Sequence, residues 1–411
     1  MKIRAAVLEE FGRPLSVQEL DLAEPKAGEA LVRVEACGVC HTDLYTASGA
    51  DPSGYVPTVL GHEGAGVVEA VGGGVTLVRP GDHVITLFSP ECGQCVHCTS
   101  GKTNICMAIR ETQGKGVMPD GTPRLSRDGE PIRHFMGTST FAEYTVMPEI
   151  ALAKIDKQAG LDVVCTLACG AATGLGAAMY KAEVEAGSTC AVFGAGLVGL
   201  GAIAGCKLRG AERIIAVDLS VERLEVAKKY GATDVIVARA QGSAAAAGGG
   251  GAASGGAAGA GDGGAASGGA AGAAGGAADS GTDPDPVQQI LDMTGGFGAD
   301  YTFEATGNVG VMRQAVEAAR MGWGVCTILG VAGKGETLDI VPRYLITGRK
   351  VLGGSFGGTR GRTNVPQLVD MYLRGELDLD GFISHHITLD DVNRGFELME
   401  AQDGIRSVIT F

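Results

Sequence analysis

The chain has 411 residues, 45% of them hydrophobic, and a formal net charge of −14. This length and apolar content suit two domains with substantial cores and exclude a small scaffold held together by disulfides. The negative charge argues against nucleic acid as a partner, because it repels phosphate backbones.

The first residues and the cysteine content predict a reducing compartment. Met1 leads directly into the alternating stretch KIRAAVLEEF, without the basic head and apolar segment of a secretory signal. The eleven cysteines are an odd number, which does not suit a complete disulfide framework. We therefore expect a cytoplasmic protein, in which clustered thiolates bind metal more often than each other.

Residues 1 to about 150 have the pattern of a β-rich domain. Short alternating stretches such as EALVRVEACGV, GAGVVEAVG and GDHVITLF are separated by glycine and proline turns. This pattern predicts a barrel-like arrangement of strands.

Four closely spaced cysteines in this part predict a structural metal site. Cys92, Cys95, Cys98 and Cys106 supply four thiolates. Four thiolates complete a tetrahedral zinc shell and leave no position open for a substrate.

A second metal site is predicted from residues that lie far apart in the chain. Cys40, His62 and Cys169 provide two thiolates and one imidazole, which leave a fourth zinc position open for water or a substrate oxygen. Spacing alone does not show that they converge, since a single cysteine or histidine is more often part of a core. We expect a core position for the other cysteines, which are Cys37, Cys165, Cys190, Cys206 and Cys326.

From about residue 171 to residue 354, strand patterns alternate with helix patterns. The strand candidates TCAVFG, RIIAVD, DVIVA, YTFEA, GVCTILG and KVLGGSF predict a doubly wound parallel sheet. Residues 188–206 carry no charge over nineteen positions, which is the length of a membrane-spanning helix. Their glycines favour a buried strand followed by a buried helix instead, so we expect no membrane span.

A dinucleotide-binding fingerprint lies between that strand and that helix. Gly194, Gly196 and Gly199 form the pattern G-x-G-x-x-G, which is a weak signal by itself. Asp218 ends the next strand, where a carboxylate accepts hydrogen bonds from an adenosine ribose and repels a 2′-phosphate. We therefore expect NAD rather than NADP. Arg223 is placed to cover the adenine, although a solvated position on a helix is its ordinary alternative.

Two segments stand outside this pattern. Residues 242–281 consist of Gly, Ala and Ser with two Asp and have no side chain that could build a core, which predicts a disordered insertion in a surface loop. The tail from about residue 355 contains an amphipathic helix pattern over residues 365–377 and a terminal strand, RSVITF. We expect that strand to pack on the first domain.

Apart from the insertion, the whole chain resembles the zinc-dependent medium-chain alcohol dehydrogenases. It is most similar to their class III, the glutathione-dependent formaldehyde dehydrogenases, also known as S-nitrosoglutathione reductases. The resemblance rests on GVCHTD, LGHEGAG, GDHVI, the four-cysteine stretch, IRETQGKGVMPDGT, MGTSTFAEYTV, GNVGVMR and GWGV. Alcohol dehydrogenases are themselves the usual example of a catalytic zinc held by two cysteines and a histidine.

The resemblance implies an α/β architecture with two domains. A GroES-like catalytic domain comprises residues 1–170 and 355–411, and a Rossmann NAD-binding domain comprises residues 171–354. Two zinc ions per subunit and dimerisation through the coenzyme domains are implied as well.

The resemblance also implies roles for single residues. Thr42 matches the hydroxyl that passes the alcohol proton toward solvent, and Tyr45 stands where some relatives have a relay histidine. Glu63 belongs to the residues around the catalytic zinc and lies behind the ion. Asp43 supports the site by orienting His62. Coenzyme contacts are implied for His41, Thr173, Val331 and Arg406.

Substrate choice is left open by the sequence. Arg110 matches an arginine that binds a glutathione carboxylate, and Asp51 matches an acidic residue that faces the amino group of the peptide. Departures from the class III pattern stand at Ser53, Phe88 and Met321.

We therefore expect NAD-dependent oxidation of S-(hydroxymethyl)glutathione, with primary alcohols as secondary substrates. Reduction of S-nitrosoglutathione is a further expected activity. The alternative is a general primary-alcohol dehydrogenase without a preference for glutathione. A zinc-braced binding protein without catalysis is the alternative from another class, and it requires the open zinc site to be absent.

Overall fold

The computed structural model describes residues 1–51, 53–239 and 285–411, and the predicted insertion over residues 242–281 lies outside them. The strands of the described part are β1 (Lys2–Leu8), β2 (Ser16–Leu22), β3 (Glu29–Gly38), β4 (Thr58–Val59), β5 (Glu63–Val71), β6 (His83–Thr86), β7 (Leu125–Arg127), β8 (Glu130–His134), β9 (Tyr144–Pro148), β10 (Leu152–Ile155), β11 (Thr189–Phe193), β12 (Arg213–Asp218), β13 (Asp234–Val237), β14 (Tyr301–Glu304), β15 (Val325–Ile328), β16 (Lys350–Gly353), β17 (Ile383–Ile387) and β18 (Arg406–Thr410). Its α-helices are α1 (His41–Ala47), α2 (Val96–Thr99), α3 (Arg110–Gln113), α4 (Leu161–Val164), α5 (Gly170–Gly176), α6 (Leu197–Leu208), α7 (Val221–Tyr230), α8 (Pro286–Met293), α9 (Val309–Ala318), α10 (Pro342–Ile346), α11 (Gly361–Leu373) and α12 (Val392–Glu400).

The first strands form a closed barrel in the order β1-β2-β7-β8-β4. Leu20 and Leu22 of β2 are buried in its interior, whereas the intervening Asp21 accepts a hydrogen bond from Lys2 at the surface. This alternation follows from the two-residue period of a strand. The predicted barrel-like β-rich part is confirmed.

A second sheet joins the beginning and the end of the chain. Its strand order is β10-β6-β5-β3-β18-β17, and β9 also pairs with β3. Strand β18 lies antiparallel to β3, with Val408 opposite Gly38. The predicted packing of the terminal strand on the first part of the chain is confirmed.

The third sheet is parallel throughout, in the order β13-β12-β11-β14-β15-β16. Val192 of β11 packs with Leu200 of α6 in one core, and the next residue, Phe193, packs with Val316 of α9 in another. Helices therefore cover both faces, which confirms the predicted doubly wound sheet. The strand order reverses between β11 and β14, where such sheets form a ligand crevice at their carboxyl ends. The domain boundaries near residues 170 and 355 stay a prediction.

The uncharged stretch over residues 188–206 is a strand followed by a helix, as predicted. Strand β11 ends at Phe193, Gly194 turns the chain with a φ of +93°, and the helix that follows has twelve residues. In the described ranges, no single helix has the length and apolarity needed to cross a membrane. One pair of helical segments bent by 58°, Leu161–Ala168 and Gly170–Lys181, meets those criteria jointly, by length and composition only.

The helix of the tail begins earlier than the sequence pattern indicated. It covers Gly361–Leu373 rather than residues 365–377. Its start is fixed by Glu91, whose carboxylate accepts hydrogen bonds from the backbone N–H groups of Arg362 at 2.9 Å and Thr363 at 3.3 Å. Its end is followed by Gly375, which has a φ of +73°. A capping partner some 270 positions away is not visible in a local pattern.

The cysteines that were predicted to lie in cores do so. All eleven cysteines belong to the described residues, and each is free of disulfide bonds. The buried thiols outside the two candidate metal sites are Cys37, Cys165, Cys190, Cys206 and Cys326.

Candidate active site

Four side chains predicted for the catalytic metal converge in the second sheet, where the inner strand β3 ends and β5 begins. Ligand atoms of Cys40, His62, Glu63 and Cys169 all lie within 4.8 Å of one another. Cys40 immediately precedes α1 and Cys169 immediately precedes α5, while His62 and Glu63 stand at the start of β5. Three separate chain segments thus bring two thiols and one imidazole to a single point.

The His62 ring is held in one orientation by Asp43. The Asp43 Oδ1 atom lies 3.0 Å from His62 Nδ1, and both side chains are buried. The same carboxylate accepts hydrogen bonds from the backbone N–H groups of Cys40 and Gly61, both at 3.1 Å. The other ring nitrogen, Nε2, is buried without a hydrogen-bond partner among the described residues. A buried imidazole nitrogen facing two thiols is what a metal ligand requires, so these residues fit a zinc ion.

The thiol of Cys40 is prepared to act as a thiolate. Its pKa lies well below the ordinary thiol value, because the adjacent Cys169 thiol and the positive charge of Arg406 stabilise its anion. Metal ligation requires the thiolate form.

Glu63 and Arg406 form a buried pair beside these ligands. The Glu63 Oε1 atom accepts hydrogen bonds from the backbone N–H of Gly170 at 3.1 Å and from Arg406 Nη2 at 3.2 Å. Its Oε2 atom has no hydrogen-bond partner in the described part of the chain. Burial raises the pKa of Glu63 to about 8, although the charge of Arg406 opposes the shift. Arg406 also donates to the carbonyl of Val39 at 2.5 Å.

Aromatic rings line the space around His62. The rings of Phe88 and Phe135 meet the imidazole edge-on, with centroid distances of 6.1 and 5.8 Å. Phe356 packs against Phe88 at 5.0 Å and has a positive φ of 50°, a conformation that costs a non-glycine residue energy. We call Phe88, Phe135 and Phe356 the aromatic wall. Thr42 lies next to the centre, with its Oγ1 atom 3.8 Å from Cys40 Sγ.

The four cysteines predicted for the structural zinc form the second candidate metal site. Ligand atoms of Cys92, Cys95, Cys98 and Cys106 lie within 4.8 Å of one another. Sγ of Cys92 is 3.9 Å from that of Cys98, and Sγ of Cys95 is 3.8 Å from that of Cys106. A tetrahedral Zn–S shell has S···S edges of about 3.8 Å. Backbone N–H groups of Met107 and Cys98 lower the pKa of Cys95 to about 6.

Residues 91–106, here called the cysteine lobe, are attached to the segment that follows β16. Besides its backbone contacts, the Glu91 carboxylate accepts a hydrogen bond from Thr363 Oγ1 at 2.7 Å. Asn104 donates to the carbonyl of Ser355 at 2.9 Å. The lobe therefore holds both ends of the segment that carries Phe356.

The predicted fingerprint forms a tight turn at the crevice of the parallel sheet. A Cβ atom on Gly199 would lie 1.7 Å from the carbonyl oxygen of Gly194, so only glycine allows this helix to pack on the strand. A Cβ atom on Gly196 would have nothing within 4 Å, which leaves space for a phosphate group at the start of α6. Asp218 accepts hydrogen bonds from the N–H groups of Ala195 at 2.6 Å and Ser220 at 2.9 Å. These residues fit a dinucleotide.

Arg223 makes a contact that its predicted role did not include. Its Nη2 atom donates to the carbonyl oxygens of Gln402 at 3.4 Å and Gly404 at 3.1 Å, which connects α7 to the loop before β18. Its predicted position over the adenine stays a prediction.

The remaining predicted coenzyme residues differ in exposure. Thr173 is buried within α5, His41 is exposed at the start of α1, and Val331 exposes 68% of its surface. Their contacts with a coenzyme stay predictions.

The two residues predicted to recognise glutathione lie in different surroundings. Arg110 is exposed at the start of α3. Asp51 is half-buried and accepts hydrogen bonds from Thr46 Oγ1 at 2.9 Å and Ser53 Oγ at 2.7 Å. Ser53, a departure from the class III pattern, thus takes up part of the hydrogen-bonding capacity of Asp51.

The sequence did not reveal two residues that organise the site. Gln113 donates from Nε2 to the carbonyl oxygens of Phe88 at 3.0 Å and Met136 at 2.9 Å, and Glu91 caps α11. Gln113 lies within the quoted stretch IRETQGKG, but a glutamine there gives no local sign of partners 25 and 23 positions away.

Comparison with known proteins agrees with this geometry. Residues 26–157 match the family model "Alcohol dehydrogenase GroES-like domain", and residues 198–254 and 269–374 match "Zinc-binding dehydrogenase". An alcohol dehydrogenase class-3 from Cereibacter sphaeroides is 46% identical over 417 aligned positions, which span 100% of both chains. An S-(hydroxymethyl)glutathione dehydrogenase from Paracoccus denitrificans is likewise 46% identical with full coverage of both chains. A solved structure, benzyl alcohol dehydrogenase from Acinetobacter calcoaceticus, aligns with a TM-score of 0.84 at 29% identity and covers 100% of this chain and 99% of that one.

Three findings lead to one family. They are the β-rich part with its converging thiols and imidazole, the doubly wound sheet with its glycine turn, and the full-length relatives. The chain belongs to the zinc-binding alcohol dehydrogenases, a family of oxidoreductases with a GroES-like and a Rossmann part.

Proposed function

We propose that this protein catalyses the NAD-dependent oxidation of S-(hydroxymethyl)glutathione, the adduct of formaldehyde and glutathione. Primary alcohols are secondary substrates, and S-nitrosoglutathione is a further substrate, which the protein reduces with hydride from NADH. The convergence of Cys40, His62 and Cys169 around a buried imidazole nitrogen without a partner carries the dehydrogenase part of this proposal. The 46% identity to a named S-(hydroxymethyl)glutathione dehydrogenase supports the choice of substrate.

The proposed cofactors are two zinc ions per subunit and NAD. Cys40, His62 and Cys169 would hold the catalytic zinc with Glu63 behind it, and the cysteine lobe would hold the structural zinc. When bound, the catalytic zinc supplies Lewis-acid polarisation of the substrate oxygen and NAD supplies the hydride acceptor. A metal analysis that finds two zinc ions per subunit supports this assignment, whereas one ion per subunit supports a binding protein without catalysis.

Thr42 provides a route for the substrate proton. Its hydroxyl is half-buried beside Cys40, and the adjacent His41 is exposed. A hydroxyl can accept one proton while it donates another. We therefore assign to Thr42 the transfer of the alcohol proton from the buried centre toward solvent.

The aromatic wall excludes water from the reacting atoms. Phe135 and Phe356 are 4% and 3% exposed, while Phe88 is half-buried and contacts the His62 ring edge-on. Removing water strengthens electrostatic interactions within a site. The wall also gives an alkyl substrate an apolar surface.

Charges in the crevice suit NAD. Arg406 Nη2 and the Leu197 side chain both lie against Gly170, which places the guanidinium near the start of α6. A positive charge at a helix N-terminus favours a diphosphate. Asp218 disfavours the 2′-phosphate of NADP, because two like charges would meet there.

Arg110 and Asp51 are proposed to recognise the two kinds of charge on glutathione. A guanidinium can bind a carboxylate through two parallel hydrogen bonds, and a carboxylate can bind an ammonium group. An uncharged alcohol uses neither contact. The chain would therefore prefer the adduct over a free alcohol.

A general primary-alcohol dehydrogenase is the second candidate. Ser53 engages Asp51 directly, and the solved benzyl alcohol dehydrogenase shares the fold. NADH formation from formaldehyde, measured with and without glutathione, separates the two. A rate that requires glutathione supports the first candidate, and equal rates with free alcohols support the second.

We also propose a homodimer formed through the Rossmann parts, in the cytoplasm. Val341, Leu345 and Ile346 expose 42%, 46% and 84% of their surfaces at and just before α10, and such an apolar patch is typical of an interface. The free thiols support a reducing compartment. Light scattering should give twice the subunit mass, and Ile346→Lys should shift it toward the monomer.

A further inference from the structure

We propose that Gln113 is a positioning residue for substrate specificity, which holds helix α3, and with it Arg110 at the start of that helix, to the two chain segments that carry Phe88 and Phe135. This inference rests on the proposed function, because it concerns how the glutathione adduct is recognised.

The amide of Gln113 joins the two chain segments that flank His62. Its Nε2 atom donates to the carbonyl oxygen of Phe88 at 3.0 Å and to that of Met136 at 2.9 Å. Phe88 meets the imidazole from one segment, and Phe135, the neighbour of Met136, meets it from the other. One amide group thus uses both of its hydrogens to fix the separation of the two aromatic side chains.

Helix α3 depends on such contacts for its orientation. It has four residues, which is too short for a helix to be stable on its own. Tyr55 donates from Oη to the carbonyl oxygens of Gln113 at 3.2 Å and His134 at 2.5 Å. Gly137 has a φ of +70°, and a Cβ atom there would lie 3.3 Å from Gln113 Cγ. The C-terminal end of α3 is therefore attached to the segment that carries Phe135, through both its backbone and its side chain.

Arg110 lies three positions before Gln113, so the two residues belong to one turn of the same short helix. Arg110 is exposed, whereas Gln113 is half-buried and bonded to the site. The Gln113 amide, together with the Tyr55 hydroxyl, therefore fixes the helix that carries this guanidinium relative to the segments beside the metal centre. A substrate that is anchored at both places, by its carboxylate and by its reacting hydroxyl, depends on that distance. A free alcohol, which reaches only the metal centre, does not.

The test is a double-mutant cycle with Arg110→Ala and Gln113→Met, measured on S-(hydroxymethyl)glutathione and on a long-chain primary alcohol. Methionine keeps the length of the side chain and removes both donors. Gln288→Ala is the matched control, because this exposed glutamine donates to Asp292 on the surface of α8. The metal content and the Kd of S-methylglutathione, a non-reacting probe with the same carboxylates, are measured for each protein.

If Gln113 acts through Arg110, its loss lowers kcat/KM for the adduct about tenfold in the wild-type background, mainly through KM, and less than about twofold in the Arg110→Ala background. The Kd of S-methylglutathione rises by a similar factor, and the effect on the alcohol is the same in both backgrounds. Gln288→Ala changes none of these quantities.

Equal losses on the adduct in both backgrounds would overturn the inference, since Gln113 would then act independently of Arg110. A Gln113→Met protein that loses its fold or its metal also counts against it, because the amide would then support the lobe as a whole. Gln113→Glu, which is isosteric but has no N–H donors, must reproduce the selective loss on the adduct. A different result would contradict the proposed function itself: Arg110→Ala, as a single substitution, would lower kcat/KM for the adduct and for the alcohol by the same factor.

Discussion

Gly196 allows the coenzyme crevice to be tested without disturbing the fold. Its backbone has a φ of −76° and a ψ of −173°, which any residue can adopt. A Cβ atom there would meet nothing within 4 Å, so Gly196→Ala should leave the thermal midpoint of the coenzyme-free protein unchanged. A phosphate oxygen that accepts a hydrogen bond from a backbone N–H of this turn lies about 2.9 Å from the nitrogen. The methyl group of alanine would occupy part of the space that this phosphate needs. We expect the Kd of NADH to rise about tenfold or more, which corresponds to about 1.4 kcal/mol.

Fluorescence titration with NADH and thermal unfolding without coenzyme measure the two effects separately. Gly199→Ala is the contrasting variant, because its Cβ atom would lie 1.7 Å from the Gly194 oxygen. It should lower the thermal midpoint whether or not coenzyme is present. A Gly196→Ala protein of normal stability that binds NADH within about twofold of wild type would refute the placement of the diphosphate.

Three further predictions concern the metal lobe, pH dependence and coenzyme choice. Cys95→Ser should leave one zinc ion per subunit and lower the thermal midpoint, as seen by metal analysis and calorimetry; loss of the other ion instead would reverse the two site assignments. Burial lowers the pKa of His134 to about 3, so the unfolded chain binds one more proton than the folded chain well below pH about 6.5. In that range the free energy of unfolding falls by about 1.4 kcal/mol for each unit by which the pH is lowered. His134→Gln keeps an acceptor for the Arg124 N–H and does not titrate, so its stability relative to wild type should improve by about 1.6 kcal/mol from pH 6.5 to 5 in urea titrations; a constant difference would show that His134 does not set this dependence. Asp218→Asn should raise NADPH affinity relative to NADH, and an unchanged ratio of the two Kd values would contradict the proposed role of Asp218.

The parts of the fold that depend on local patterns were predictable. The alternation around Leu20, the turn at Gly194 and the apolar helix after it follow from strand periodicity and from what a glycine allows. The structural cysteines could be recognised as well, since all four lie within fifteen positions.

Contacts between distant segments were not predictable in the same way. The distances along the chain between Cys40, His62 and Cys169 did not show that these residues converge, although their ligand types and the family resemblance both favoured a shared metal site. Glu91 moved the start of α11, and Gln113 connects three segments, because hydrogen-bond partners depend on the finished packing rather than on neighbours in sequence. The positive φ of Phe356 has no sequence sign either, since phenylalanine rarely adopts it.

The attachment of the cysteine lobe to α11 also has a consequence for biosynthesis. The four cysteines lie within the first 106 residues, but the helix whose N–H groups bind Glu91 begins at residue 361. A nascent chain that has emerged only through the parallel sheet therefore has all the thiols of the lobe and lacks its docking surface. Strand β18, which pairs with β3, is made later still. The second sheet is therefore complete only once residues 406–410 have been made, and a chain truncated before α11 leaves Ala36, Cys37 and Gly38 of β3 without their β18 partners and the lobe without its docking helix.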